Sequence, residues 1–104
     1  MTTPSDEQIT VIAETYRLLG DPTRLRVLLA CLAEPIAVGD IAKAVNASPS
    51  LVSHHLRLLR GARLVRGTRR NKQVFYETAD AHVADMLSGM LEHTMEEHDE
   101  ASNG

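Results

Sequence analysis

"VGDIAKAVNASPSLVSHHLRLLRGARLVRGTRRNKQVFYET", Val38 to Thr78, contains two short helical patterns and then a change of period. "VGDIAKAVN" has the spacing of a helix of roughly two to three turns. Ala47-Ser48-Pro49 interrupts it and sets Ser48 as the next N-cap and Pro49 at the first helical position, where a missing N–H costs no bond. "SLVSHHLRLLRGA" continues as a second helix, with Leu51, Val52, Leu56 and Leu59 expected to face inward. Two helices joined by a tight turn, the second polar and basic outside, form a helix-turn-helix. Beyond Gly61, Leu64 and Val65 lead into a turn rich in Gly67, Arg69, Arg70 and Asn71, followed by Val74, Phe75 and Tyr76. That pattern predicts a β-hairpin with a basic tip. The predicted fold class is therefore mainly α with a small β-hairpin, a winged helix-turn-helix.

On the N-terminal side, "SDEQITVIAETYRLLG" predicts a helix capped by Ser5, with Asp6 and Glu7 in its first turn and Gly20 at its end. Ile9, Ile12, Ala13, Tyr16 and Leu19 make one apolar stripe along it. "DPTRLRVLLACLAE" predicts a second helix with Asp21 as N-cap and Pro22 first, burying Leu25, Leu28, Leu29 and Leu32, with Cys31 packed among them as a small apolar group. On the C-terminal side a last helix is expected from about Ala81 to Glu97, with 98–104 as a flexible tail.

The 104 residues fit a single domain, 1–104, with an ordinary apolar share of 43%. No apolar run approaches membrane-spanning length and no signal peptide is evident, so a soluble, cytoplasmic protein is expected, with no membrane partner. The lone cysteine excludes an internal disulfide and a cysteine-rich zinc knuckle. The net charge of −3 conceals an asymmetry. Between Asp40 and Glu77 there are basic residues and no acidic ones; from Glu77 onward there are carboxylates and no Lys or Arg. A basic block of this kind suits a phosphate backbone, although a solvated charged face has the same composition.

The helix from Pro49 carries Ser50, Ser53, His54 and Arg57 away from its leucines. Serine and histidine can donate or accept at base edges, and arginine reaches guanine or phosphate. Arg66, Arg69, Arg70 and Lys72 on the hairpin suit phosphate contacts, which position without reading sequence. His55 is left without an assignment.

"DAHVADMLSGMLEHTME", Asp80 to Glu96, holds two histidines, each with a carboxylate nearby. In a straight helix His82 and His93 point the same way to within about 20° but stand about 16 Å apart along the axis. Zinc takes nitrogen and oxygen ligands at about 2 Å, so one helix cannot close both on one ion. Two copies can, if their last helices lie antiparallel about a two-fold axis. Position 82 then faces the partner's 93 and position 80 its 96, and Ser88 and Gly89 allow close approach at the centre. Asp80, His82, His93 and Glu96 form the expected metal set, with Asp80 required at or before the N-cap because residues two apart diverge within a helix. Asp80 equally suits a plain cap, and Glu96 a solvated charge. A nitrogen–oxygen set fits Zn(II), Ni(II) or Co(II) better than thiophilic ions, and a tetrahedral four-ligand set favours zinc.

Taken together, "LGDPTRLRVLLACL", "SPSLVSHHLRLLRGARLV" and "VFYET" resemble the ArsR/SmtB family of metal-responsive bacterial repressors. The resemblance implies a homodimer joined through its N- and C-terminal helices that binds an operator dyad in double-stranded DNA and leaves it when metal binds. It also implies DNA contacts at Ser50, Ser53 and His54. The D-x-H and H-x-x-E pairs are similar to the C-terminal-helix sensor site of zinc-responsive members. Members that sense arsenite, cadmium or lead carry "CVC" where this chain has Ala37-Val38-Gly39, so that thiolate site is absent. His98 matches the extra tail histidines of nickel- and cobalt-sensing relatives, or is a plain tail residue. The alternative function is a winged-helix regulator answering a non-metal signal. An enzyme is not expected, because no nucleophile–base pattern is present and the four-ligand set leaves no open position.

Overall fold

In the computed structural model, which describes the backbone of residues 2–103 and side chains as far as Glu96, the chain order is α1 (Asp6–Leu19), α2 (Pro22–Ala30), β1 (Ile36–Ala37), α3 (Val38–Val45), α4 (Pro49–Gly61), β2 (Val65–Arg70), β3 (Gln73–Thr78) and α5 (Ala81–Asn103). Local chemistry sets most of these limits. Ser5 and Gln8 cap α1 reciprocally, the Gln8 N–H donating to Ser5 Oγ and the Ser5 N–H to Gln8 Oε1. Asp21 accepts the N–H groups of Thr23 and Arg24 ahead of Pro22, and Ser48 Oγ accepts from the Leu51 N–H ahead of Pro49. Between α3 and α4 the chain reverses at Asn46, whose φ of 54° lies in the left-handed region that asparagine tolerates better than most residues.

The helix-turn-helix packs on α2. Val27 and Leu28 from α2 with Cys31 at its C-cap, Ile41 and Ala42 from α3, and Val52, Leu56 and Leu59 from α4 form one buried cluster. Leu64 and Val65 at the foot of the hairpin and Leu87 of α5 complete it. Leu28 and Cys31 are enclosed as expected, but the buried face of α2 is rotated toward Val27, and Leu25, Leu29 and Leu32 are only half-buried. In α4 the inward positions are 52, 55, 56 and 59, a regular helical stripe. That stripe takes in His55 and leaves Leu51, expected inside, exposed.

The hairpin gains a third strand that the sequence pattern did not suggest. β1 pairs antiparallel with β3, Ile36 opposite Tyr76 and Ala37 opposite Phe75, so the sheet order is β1-β3-β2. Two residues are too few to show alternation, which is why β1 left no signal. The wing turn is also tighter than expected. Gly67, Arg69 and Arg70 lie within β2, and only Asn71 and Lys72 connect the strands, with Asn71 at φ 59°. Gly67 faces Tyr76 across the pair, and a Cβ there would come within 3.1 Å of the Tyr76 ring and 3.0 Å of Val74 Cγ1. Its lack of a side chain makes room for that aromatic.

Both terminal helices touch the core along one side, α5 through Leu87, and leave other apolar side chains uncovered. α1 buries no residue and exposes Ile9, Val11, Ile12 and Tyr16; α5 exposes Met90, Leu91 and Met95. The radius of gyration is 15.4 Å, against about 13 Å for a compact chain of this length. α5 continues to Asn103, past the end expected at Glu97, since no proline or glycine interrupts it before Gly104.

Candidate functional site

Ser50, Ser53, His54 and Arg57 occupy one exposed stripe of α4, opposite the buried 52, 55, 56 and 59. The packing of that buried stripe on α2 and α3 fixes which side faces outward. Arg60 follows Arg57 by three residues, and together with Ser53 and Tyr76 the two arginines line an open cleft of about 450 Å³. The same spacing that selected Ser50, Ser53 and Arg57 would have found Arg60. The stripe offers hydroxyl, imidazole and guanidinium groups on a helix of a size that enters a major groove.

On the wing, Arg66, Arg69, Arg70 and Lys72 are all exposed, but they are not equivalent. Arg66 faces Glu77 across the strand pair, and its Nε and Nη2 both lie 2.6 Å from Glu77 Oε1. Arg70 places its guanidinium 5.5 Å from the centre of the Phe75 ring. Arg69 pairs with Val74 on the strand, and Lys72 sits in the turn.

Asp80 stands immediately before α5 and caps it: Oδ1 accepts the Val83 N–H at 3.0 Å. The same oxygen lies 3.8 Å from His82 Nδ1. Adjacent donors on a tetrahedral zinc with bonds of about 2 Å are about 3.3 Å apart, so this carboxylate and imidazole suit two positions of such a shell with a small adjustment. His93 and Glu96 are exposed farther along α5, three residues apart and therefore on one face. Among the described residues, no group of three or more His, Cys, Asp or Glu within one chain could hold an ion. The His98 side chain lies outside the described residues.

Cys31 packs as expected, and His55, which the sequence left without an assignment, acquires a definite setting. Burial pushes the Cys31 thiol up to about 12, so it is a packed apolar group and not a thiolate. His55 is buried, and it accepts a hydrogen bond from Arg24. Burial, followed by the charge of Arg24, holds its imidazole below the ordinary value of 6.5.

A family model for bacterial regulatory proteins of the arsR family matches residues 21–66, from the cap of α2 into the wing. The chain is 39% identical over 90 residues to the transcriptional repressor SmtB homolog of Synechocystis, covering 86% of this chain and 68% of that protein. Among solved structures, a homodimeric winged helix-turn-helix DNA-binding domain from Mycobacterium bovis matches with a TM-score of 0.78 at 26% identity, over 97% of this chain and 95% of that one. The cadmium metal-sensor CMTR of Mycobacterium tuberculosis matches with a TM-score of 0.65 at 42% identity, over 74% of this chain and 80% of that one. Among the described residues no helix is long and apolar enough to cross a membrane.

Proposed function

The chain belongs to the ArsR family of bacterial regulatory proteins, and from that premise we propose a homodimeric, metal-responsive repressor that works in the cytoplasm. It is a DNA-binding transcriptional regulator and not an enzyme. Ser50, Ser53, His54 and Arg57 of α4 read base edges of an operator half-site in double-stranded DNA, and Arg66, Arg69, Arg70 and Lys72 hold the flanking phosphates. Two half-sites are engaged because two copies associate, as the Mycobacterium bovis neighbour is homodimeric, and the exposed apolar faces of α1 and α5 are the surfaces that would meet.

The observation that carries the metal reading is the 3.8 Å approach of Asp80 to His82 at the cap of α5. With the α5 helices antiparallel, Asp80 and His82 of one protomer meet His93 and Glu96 of the other, giving two equivalent sites. A bound divalent ion would supply coordination bonds between the protomers; zinc suits a tetrahedral set, with nickel or cobalt the alternative if His98 joins. Asp80 and His82 then fix the base of α5 against the partner's helix and so fix the relative orientation of the two reading helices. A dyad with half-sites one turn apart tolerates only a narrow range of that orientation, so DNA affinity falls. The coupling is reciprocal: operator DNA must weaken metal binding by the same factor.

Titration of the operator-bound apo-dimer with zinc, nickel and cobalt in turn tests this. Two ions per dimer with loss of DNA affinity is the expected result. Release that persists undiminished in His82→Ala would remove the ligand assignment and favour a regulator that answers another signal.

A further inference from the structure

Arg24 joins three elements through one guanidinium. Its side chain is only 14% exposed. Nη1 donates to the Leu18 carbonyl at 2.9 Å, in the last turn of α1. Nε donates to His55 Nδ1 at 3.2 Å, in the middle of α4. Nη2 lies 4.0 Å from the Asp21 carboxylate that caps its own helix. The Leu18 carbonyl needs such a partner, because the residue four positions on is Pro22, which has no N–H. His55 is 4% exposed, and since arginine can only donate, its imidazole must be neutral with Nδ1 as acceptor.

A largely enclosed arginine–histidine contact is a costly way to fill space, since two apolar side chains would pack there without loss of hydration. What a planar guanidinium adds is direction: its donors leave at fixed angles, so Leu18 and His55 are held at a fixed mutual position. His55 lies on the buried stripe of α4, and its ring centre is 5.6 Å from that of His54 on the outward stripe. Turning the helix about its axis would break the Arg24 bond and move Ser53, His54 and Arg57 together.

We propose that Arg24 is a positioning residue for operator reading, setting through His55 the rotation of α4 relative to the end of α1, the helix that carries half of the dimer face. The inference rests on the assignment of α4 as the reading helix. It supplies a route by which a shift between protomers, felt at α1, arrives at the base-reading side chains.

The experiment uses the full-length dimer and fluorescence anisotropy with operator duplex, metal-free, at pH 8 to 5.5, with dimer fraction and thermal midpoint recorded alongside. His55→Leu keeps an apolar side chain but removes the acceptor. His55→Asn keeps an acceptor oxygen near the place of Nδ1. Folded, dimeric His55→Leu is expected to bind operator about tenfold more weakly, with His55→Asn close to wild type. Wild type is also expected to lose operator affinity more steeply in acid than His55→Asn. The charged and titratable groups acting on His55 are Arg24 and Asp21 from α2 and His54 from its own helix, and both proteins retain all three. Wild-type affinity in folded His55→Leu would overturn the proposal. Should that variant not fold, superimposable pH profiles of wild type and His55→Asn would overturn it. Wild-type protein that binds no duplex removes the reading of α4 itself, and the proposal with it.

Discussion

Oδ1 of Asp80 accepts the Val83 N–H at 3.0 Å and stands 3.8 Å from Nδ1 of His82. One oxygen therefore starts the helix and points the carboxylate toward the imidazole. The two tasks separate in Asp80→Asn, because asparagine caps as well as aspartate but carries no charge and is a poorer metal ligand. The thermal midpoint of Asp80→Asn should stay near that of wild type while zinc affinity, measured by chelator competition, falls more than about tenfold. Asp80→Ala should lose the cap as well, at roughly 1 kcal/mol. Unchanged zinc affinity in Asp80→Asn would leave Asp80 as a cap alone.

The four wing cations differ in what they can give to a phosphate. Arg66 already spends its fork on Glu77. A cation paired beforehand displaces fewer counterions from DNA, so its removal changes the salt dependence less. Arg69→Ala should lower the slope of log affinity against log salt by about one, with a smaller change for Arg66→Ala. Glu77→Gln, which frees Arg66, should tighten binding at low salt. Equal slopes for the two arginine variants would mean that Arg66 leaves Glu77 when DNA arrives.

The helix starts were readable because their punctuation is chemical: Ser48-Pro49 opens the second helix of the helix-turn-helix and Asp21-Pro22 opens α2, whatever surrounds them. The rotation of a helix is harder to read. Leucines recur so often in α2 and α4 that several faces look equally apolar, and burial was assigned to Leu25 and Leu51 where the structure encloses Val27 and His55. A histidine inside an apolar stripe reads as polar until its donor is known, and that donor, Arg24, lies 31 residues away. β1 is defined only by its partner strand. The reach of α5 was legible by contrast, since helix rise alone separates His82 from His93.

The proposed association through α1 and α5 predicts what a charge on those faces would do. Ile12 and Leu91 are exposed in the single chain and contribute nothing to its core. Ile12→Glu and Leu91→Glu should therefore fold with intact helicity yet sediment as monomers at concentrations where wild type is dimeric. Burying such a side chain is worth roughly 1.5–3 kcal/mol, so the dimer constant should weaken by about tenfold or more for each. Metal and operator affinity should fall with it. A dimeric Leu91→Glu would place the interface elsewhere.

Acid should weaken the fold in two steps, in the order set by two groups joined through Arg24. His55 is held below its ordinary value of 6.5, first by burial and then by Arg24, so the folded state favours the neutral ring. Its contribution is complete above 6.5 and is lost as pH falls from there through the depressed folded value, because the unfolded chain takes up the proton first. Asp21 is held below its ordinary 3.8, chiefly by the Arg24 N–H, so its contribution survives mild acid and is lost only as pH falls below that value. Thermal midpoints taken at fixed protein concentration should decline already between pH 6.5 and 5 in wild type and decline less in His55→Asn, which has no ring to protonate. Asp21→Asn, which can still cap α2, should decline at least as steeply as wild type in that window, because the Asp21 charge no longer favours the protonated His55 ring, and should lack the second step at lower pH. A wild-type midpoint that stays flat down to pH 5 would mean that the buried imidazole accepts a proton without penalty, and the Arg24 contact would then have to open freely.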